Sequence, residues 1–352
     1  MLEPSLRLVQ HPDAVREIRD VVAWGWGISA HLTHNPAPNP VSLHRQQLER
    51  LHERPYVVAE KTDGVRYLLV LGRFKFAPKP YAVMIDRALR MFQLEIVAPS
   101  SMYNGSIFDG ELVWDKSQNC KAFLVFDAVA VGGESIRLKH FTERYSVVNE
   151  SFLGRVECIN WNRDMADSKA RALAKKGYVT PIADAENHMY YCAKQMVPLG
   201  LFGSLQRSVK TLSWDSDGFI FTPMDQTVQR NAQRDCFKWK YLPTIDVTIQ
   251  ASSGNRDSHE LACQDGDRLV SLSVAFPDKT FDWERPPAFL FATNHVIEIT
   301  ITVSGHTVRC KFHRVRPDKL SPNTFQTIQS VLQEAEEQIS IQELIDASMR
   351  TK

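Results

Sequence analysis

The stretch VVAEKTDGVRYLLVLG, residues 57–72, sets the polar residues EKTDG between two apolar runs. Both runs read as β-strands, being rich in β-branched and aromatic residues and free of proline. Asp63-Gly64 reads as a turn, and the glycine lets the backbone come close to a ligand or a neighbouring segment. A lysine at a strand end is ordinarily a solvated surface residue. Lys61 differs because Glu60 precedes it, Asp63-Gly64 follows, and Arg66 heads the next strand. A lysine amine attacks an electrophile only when deprotonated, and burial or neighbouring cations lower its pKa. Lys61 is therefore a candidate nucleophile, provided cations from elsewhere reach it. The fixed residues of KxDG are too few to decide this by themselves.

Such cations stand far along the chain. In FKWKY, residues 237–241, Lys238 and Lys240 alternate around Trp239, so both point to one face of a strand. If that face meets Lys61, it depresses the lysine pKa and binds phosphate oxygens.

With 352 residues the chain suits one large or two ordinary domains. Its 43% hydrophobic and 24% charged residues allow a substantial buried core. A net charge of +1 excludes attachment to nucleic acid by bulk charge, though not a local basic cleft. The cysteines, at 120, 158, 192, 236, 263 and 310, form no CxxC pair, which argues for free thiols over zinc or disulfides. Charges run through the first residues, so no signal peptide is expected. The most apolar run, AFLVFDAVAV (122–131), is broken by Asp127 and too short to cross a bilayer. A soluble, intracellular protein without membrane contact is expected.

HNPAPNPVSL (34–43) reads as a loop, and LHRQQLERLHE (43–53) as a helix with Leu43, Leu48 and Leu51 on one side. From Tyr56 to about Val131 the pattern is strands and tight turns. YAVMIDRALRMFQL (81–94) is a hairpin around Asp86-Arg87, and FDGELVW (108–114) with KAFLVFDAVAV (121–131) forms another strand pair. Positions 143–212 mix helices and loops. DGFIFTP (217–223) and CFKWKY (236–241) are short strands. A second β-rich region runs through LPTIDVTIQ, RLVSLSVAF, HVIEITITV and HTVRCKFHRVR, with the size and strand count of a small OB-type barrel. After Ser321-Pro322-Asn323 the tail is an amphipathic helix or helix pair. The fold class is α+β, with a boundary near 242–246.

Six short blocks in this order resemble the motifs of the covalent nucleotidyltransferase superfamily, which includes mRNA capping guanylyltransferases and ATP-dependent DNA and RNA ligases. The blocks are EKTDGVR (60–66), FDGELV (108–113), FLVFDAV (123–129), SDGFIFTP (216–223), CFKWKYLPTIDV (236–247) and HRVRPDKLSPN (313–323). Within the superfamily, PVSL, EKTDGVRY, MIDR and above all RPDKLSPN are similar to capping guanylyltransferases. The match covers roughly 38–335. It departs at FKWKYL, where LKWKPP is common, at Cys310, where a tryptophan is common, and over 150–200, which aligns with nothing.

The resemblance implies a nucleotidyltransferase, GTP-binding domain over 1–242, an OB-fold domain over 243–320 and a C-terminal helical segment over 321–352. It implies that Lys61 attacks the α-phosphorus of GTP, giving a lysine–GMP adduct, and that GMP passes to a 5′-diphosphate RNA end. GTP-binding positions carried over are Thr62, Arg66, Arg87, Glu111, Phe126, Asp217, Lys238, Lys240, Arg316, Asp318 and Lys319. Glu111 and Asp217 are the expected ligands of Mg2+ or Mn2+. Phe126 is expected to stack on guanine, though a plain core role suits its apolar surroundings as well. Thr62 and a lysine upstream of the fourth block, Lys210, are candidate donors to guanine O6. Arg316 and Lys319 are expected on the β- and γ-phosphates after domain closure, with Asp318 holding one of them. Neither HCxxxxxR nor ExExE nor a GxGxxG-type loop occurs, so separate RNA triphosphatase and cap methyltransferase partners are expected, and docking to an RNA polymerase II tail is a family expectation. The nucleus is the expected site, or the cytoplasm for a viral protein. The alternatives are an ATP-dependent polynucleotide ligase of the same superfamily and a non-catalytic RNA-binding scaffold.

Overall fold

The computed structural model describes residues 3–4, 7–29, 31–76, 79–94, 96, 98–152, 189–228, 232–252, 255–283 and 295–350. Cys158 and most of the unaligned stretch 150–200 lie outside these residues. The chain divides into two units, 1–41 with 54–237 and 42–53 with 238–352.

In chain order the first unit holds α1 (Pro12–Gly25), β1 (Asn39–Ser42), β2 (Tyr56–Thr62), β3 (Val65–Arg73), β4 (Pro80–Ile85), β5 (Met91–Leu94), β6 (Ser106–Asp115), β7 (Cys120–Val131), β8 (Glu134–Ser135), α2 (Phe141–Ser151), β9 (Met189–Ala193), β10 (Val197–Pro198), α3 (Phe202–Ser208), β11 (Ser216–Pro223) and β12 (Ala232–Lys240). Ser42 and Lys238–Lys240, at two strand ends, fall in the second unit. Helix α1 went unremarked in the sequence, although Pro12 at its start, Asp13 in its first turn and buried Ile18 and Val22 are ordinary helix signals.

The apolar runs on either side of EKTDG are β2 and β3, and they belong to different sheets. β2 lies between β11 and β10 in the order β1-β12-β11-β2-β10, whereas β3 lies between β4 and β6 in the order β5-β4-β3-β6-β7-β8. The break is therefore a crossing between sheets. Gly64 sits where β6 passes: a Cβ there would stand 2.5 Å from the Leu112 carbonyl oxygen and 2.8 Å from Glu111 Cγ. The glycine is required by close approach rather than by an unusual φ.

β3 is buried on both faces. Tyr67, Leu69 and Leu71 join one core with Val148 and Phe152 around α2, while Leu68 and Val70 join another with Ile18 and Val22 of α1 and with Trp26 just beyond it. This explains why the run is continuously apolar instead of alternating. The hairpin of β4 and β5 forms as expected, its turn closed by buried Asp86, which accepts from the Arg90 backbone and side chain. β9 runs parallel to β7 at a place read only as helices and loops.

Residues 43–53 are not one helix but two 3₁₀ turns, Arg45–Gln47 and Glu49–His52, held by bonds to the third residue back. Pro55 disfavours helical backbone at the preceding residue, and 3₁₀ geometry suits such short pieces. The second unit continues with β13 (Thr244–Ser252), β14 (Asn255–Asp265), β15 (Arg268–Ser271), α4 (Leu272–Ala275), β16 (Thr280–Trp283), β17 (Val296–Ser304), β18 (Thr307–Val315), α5 (Phe325–Glu337) and α6 (Ile341–Met349). Its sheet runs β15-β14-β13-β17-β18-β16, an open path among the described residues, as a partly open OB-type barrel allows. RLVSLSVAF is strand only to Ser271. Its second half turns into α4 as Leu272 and Phe276 enter the core. Ile328, Val331 and Leu332 of α5 pack into that same core. Cysteines 120, 192, 236, 263 and 310 are buried free thiols, as expected. Among the described residues no helix is long and apolar enough to cross a membrane.

Two outcomes follow. Gly64→Ala should destabilise the first unit by about 1–3 kcal/mol in chemical denaturation, because backbone rather than a flexible side chain must yield. Glu343 in the first turn of α6 bonds Arg45 and caps Ser340, which lowers its pKa from 4.5 to about 2. A depressed carboxylate stabilises the fold above the unfolded pKa and loses that effect as pH falls through the folded one. Between pH 4.5 and 2 wild-type stability should therefore fall more steeply than that of Glu343→Gln.

Candidate active site

Lys61 is the penultimate residue of β2, and its amine donates to both carboxylate oxygens of Asp217, at 2.7 and 2.9 Å. The contact comes from a β-bulge. Ser216 pairs with Thr62 and Gly218 with Lys61, which leaves Asp217 as the extra residue beside the lysine. Such a bulge re-aims a side chain that strict alternation would send elsewhere. Lys61 is 20% exposed and Asp217 27%, so the amine does not stand in bulk water. The sequence reading expected a cation beside the amine. Within the first unit its hydrogen-bond partner is a carboxylate.

A cavity of about 170 Å³ opens at Lys61, with Arg66, Arg87, Glu111, Phe126 and Lys194 in its walls. Arg66 grips Asp109 through two bonds, 2.8 and 2.5 Å, and donates to the Pro38 carbonyl at 2.8 Å. Its guanidinium stands 5.4 Å from the centre of the Phe126 ring. Burial opposes charge on Arg66, but Asp109 outweighs it and the pKa is raised. Burial likewise pushes the Asp109 carboxyl up, with Arg66 opposing. Phe126 is also a bulge residue: Asp109 pairs with Asp127 and Gly110 with Val125, so the ring falls out of register and reaches the cavity wall. Asp127 is held by two 2.8 Å bonds from buried Arg144. Arg87, in the hairpin turn, donates to Asn39 Oδ1 at 3.4 Å.

Glu111 accepts a long bond, 3.3 Å, from the Gly64 amide. Among the described residues no three His, Cys, Asp or Glu side chains cluster closely enough to hold a metal by themselves. Glu111 and Asp217 nonetheless fit the Mg2+ pattern of one or two carboxylates completed by substrate phosphates and water. Asp109 and Asp127 are engaged by arginines; Glu111 and Asp217 have partners that can be exchanged.

Thr62 is fully buried, alternating to the other side of β2 from Lys61. Its hydroxyl donates to Glu60, 2.9 Å from each carboxylate oxygen, and accepts from the amine of Lys194. Lys194, 5% exposed, also lies 3.6 Å from Glu60 Oε1. Lys194 was missed in the sequence. It carries the signature that singled out Lys61, a lysine closing an apolar strand. Lys210 is exposed on the 3₁₀ turn Val209–Thr211 and has no place in the cavity wall. The structure thus brings Lys194, not Lys210, to Thr62.

The remaining candidates belong to the second unit. Asp246 and Glu298 stand directly opposite each other on β13 and β17, an arrangement that repels unless cations intervene. Arg316 supplies one, 2.9 Å from Asp246 and 3.6 Å from Glu298, and it grips Asp318 through two further bonds. Lys319 also bonds Asp246. Lys240 bonds Thr244 at 2.7 Å and approaches Glu298 to 3.5 Å, and Arg314 bonds Glu298 at 2.7 Å. Burial would push the Glu298 pKa up, but Lys240, Arg314 and Arg316 hold it well below the usual carboxylate range. Lys238 lies on the same strand as Lys240 and helps stabilise charge on buried Glu334, whose carboxyl burial pushes up.

A strand-borne lysine facing a small cavity with an aromatic ring, arginines and carboxylates is an arrangement suited to nucleotidyl transfer through a lysine. The family model of the mRNA capping enzyme catalytic domain matches residues 8–242, and that of the capping enzyme C-terminal domain matches 219–345. The chain belongs to the mRNA capping enzyme family. It is 23% identical over 335 residues to the capping enzyme alpha subunit of Schizosaccharomyces pombe, covering 88% of this chain and 79% of that protein. The Neurospora crassa alpha subunit is 24% identical, with 90% and 85% covered. The Mus musculus capping enzyme is 22% identical, with 84% of this chain but 46% of that protein covered. Among solved structures, mycobacterial DNA ligase D complexed with ATP and MES superposes with a TM-score of 0.37 at 15% identity, covering 81% of this chain and 96% of that one.

Arg66→Ala should cost about 3–5 kcal/mol in urea denaturation, because it strands the Asp109 carboxylate. Asp109→Asn placed on that background should recover a large part of the loss.

Proposed function

We propose that this protein moves GMP from GTP to the diphosphate end of an RNA through a covalent adduct on Lys61. The observation that carries the reading is the Lys61 amine, held by Asp217 at the wall of the cavity that contains Phe126 and Arg66. In the first step the amine nitrogen attacks the α-phosphorus of GTP. A P–N bond forms, the bond from the α-phosphorus to the bridging oxygen breaks, and pyrophosphate leaves with the electron pair. The attacking amine sheds a proton, since only the uncharged nitrogen has a free electron pair. In the second step a terminal β-phosphate oxygen of the RNA attacks the same phosphorus, the P–N bond breaks and the lysine nitrogen regains a proton.

Arg66 and Arg87 supply positive charge to ribose or phosphate, and Phe126 offers its ring to the base. Glu111 and Asp217 would hold a divalent cation, Mg2+ or Mn2+, which would supply charge neutralisation at the α-phosphate. Lys194 carries donors only, so it accepts a purine with oxygen at C6 and rejects one with an amino group there. Arg316 and Lys319 are assigned to the triphosphate. Both already hold carboxylates, so engaging phosphate exchanges one anion for another. An RNA ending in a diphosphate must be supplied by a triphosphatase reaction, which removes the terminal phosphate of a 5′-triphosphate end.

Incubation with α-labelled nucleotide tests the proposal. GTP should leave a covalent label on the protein that survives alkali and is released by hot acid, as a P–N bond requires, and ATP none; Lys61→Ala and Lys61→Arg should both reduce the label to background. Label from ATP but not GTP would make the protein a ligase-type enzyme, and label from neither would leave only a scaffold.

A further inference from the structure

Glu60 has no part in the reaction as described, yet it is among the most deeply buried carboxylates of the first unit, 4% exposed beside Thr62 at 0% and Lys194 at 5%. It stands immediately before the nucleophile but points to the opposite side of β2. There it borders a second cavity of about 340 Å³, and Lys194 borders both cavities. Besides Thr62 and Lys194, Glu60 accepts from the Trp214 indole at 3.3 Å.

Hydrogen-bond direction gives this arrangement its meaning. A threonine hydroxyl has one proton, an ionised carboxylate only accepts, and an ammonium only donates. Thr62 spends its proton on Glu60, 2.9 Å from each oxygen, so its oxygen is left to accept from Lys194. The chain Lys194 to Thr62 to Glu60 therefore runs one way. It fixes the amine against Thr62, and Lys194 lines the cavity that holds Lys61 as well as the second one. The carboxylate also provides the counter-charge that burial of Lys194 demands, at 3.6 Å.

We infer that Glu60 is a positioning residue for purine selection: by orienting Thr62 and Lys194 from behind, it aims the amine that reads position 6 of the base. This rests on the GTP reading above and deepens it. In Glu60→Gln one of the two atoms beside Thr62 becomes an NH2 donor, which competes with Lys194 for the lone pairs of the hydroxyl oxygen. Lys194 then loses both its aim and its counter-charge.

The test uses the intact chain and compares GTP with the 2-aminopurine riboside triphosphate, which lacks the oxygen at position 6. Covalent labelling rates give kcat/KM for each. In Glu60→Gln the preference for GTP should fall about tenfold, through the GTP rate, while the rate with the 2-aminopurine analogue holds. Thr62→Val, which keeps the side-chain shape and removes the hydroxyl, should shift the ratio in the same direction, and it decides the matter if Glu60→Gln fails to fold by its melting curve. A merely structural role lowers both rates together and leaves the ratio unmoved, and that result overturns the inference. Wild-type protein that takes no label from GTP would instead overturn the reading of the function itself.

Discussion

The site depends on the chain leaving one sheet and entering another within two residues. Asp63 and Gly64 make that passage, and Gly64 manages it only because nothing projects from its α-carbon toward the Leu112 carbonyl. Asp63 is fixed in turn by its amide, which donates to the Asp215 carbonyl at 2.8 Å. Lys61 is thus anchored by β2 on one side of the passage, and Arg66 and Glu111 by the paired β3 and β6 on the other. A nucleophile carried by a strand can be held more precisely than one carried by a loop. The two apolar cores on either side of β3 keep that strand from sliding, because a one-residue shift would exchange every side chain between them.

Charge is handled in the same economical way throughout. Leaving a buried ion without a partner costs several kcal/mol. Arg66 has Asp109, Arg144 has Asp127, Lys194 has Glu60, and Arg316 has Asp246 and Asp318. Cations suited to phosphate are thereby stable before any nucleotide arrives, and their directions are already set. That preorganisation reduces the ordering a ligand must bring about on binding.

Much of this was legible in the sequence. The strand pairs, the hairpin at Asp86, the β-rich second half and the helical tail followed from alternation and turn residues, and the order of six short motifs carried the family. What escaped has physical reasons. Two sheets meeting at a break look, in one dimension, the same as a hairpin. Residues 43–53 have leucines at helical spacing, but Pro55 cuts the piece too short for a stable α-helix. Lys194 ends a strand that was itself unread, in a stretch without a matching motif. Asp217 could be picked as acidic but not as the partner of Lys61, since period-two reasoning has no place for an inserted residue.

That inserted residue recurs. Asp217 in β11 and Phe126 in β7 are each one more than their partner strands can match. Length, as much as identity, is therefore under constraint in these strands. Losing a single residue beside Phe126 would erase the surplus opposite Asp109 and Gly110, leave the second bulge at Val129 in place and turn the aromatic ring away from the cavity. Substitutions along such a strand are graded in their effects; a one-codon deletion is all or nothing.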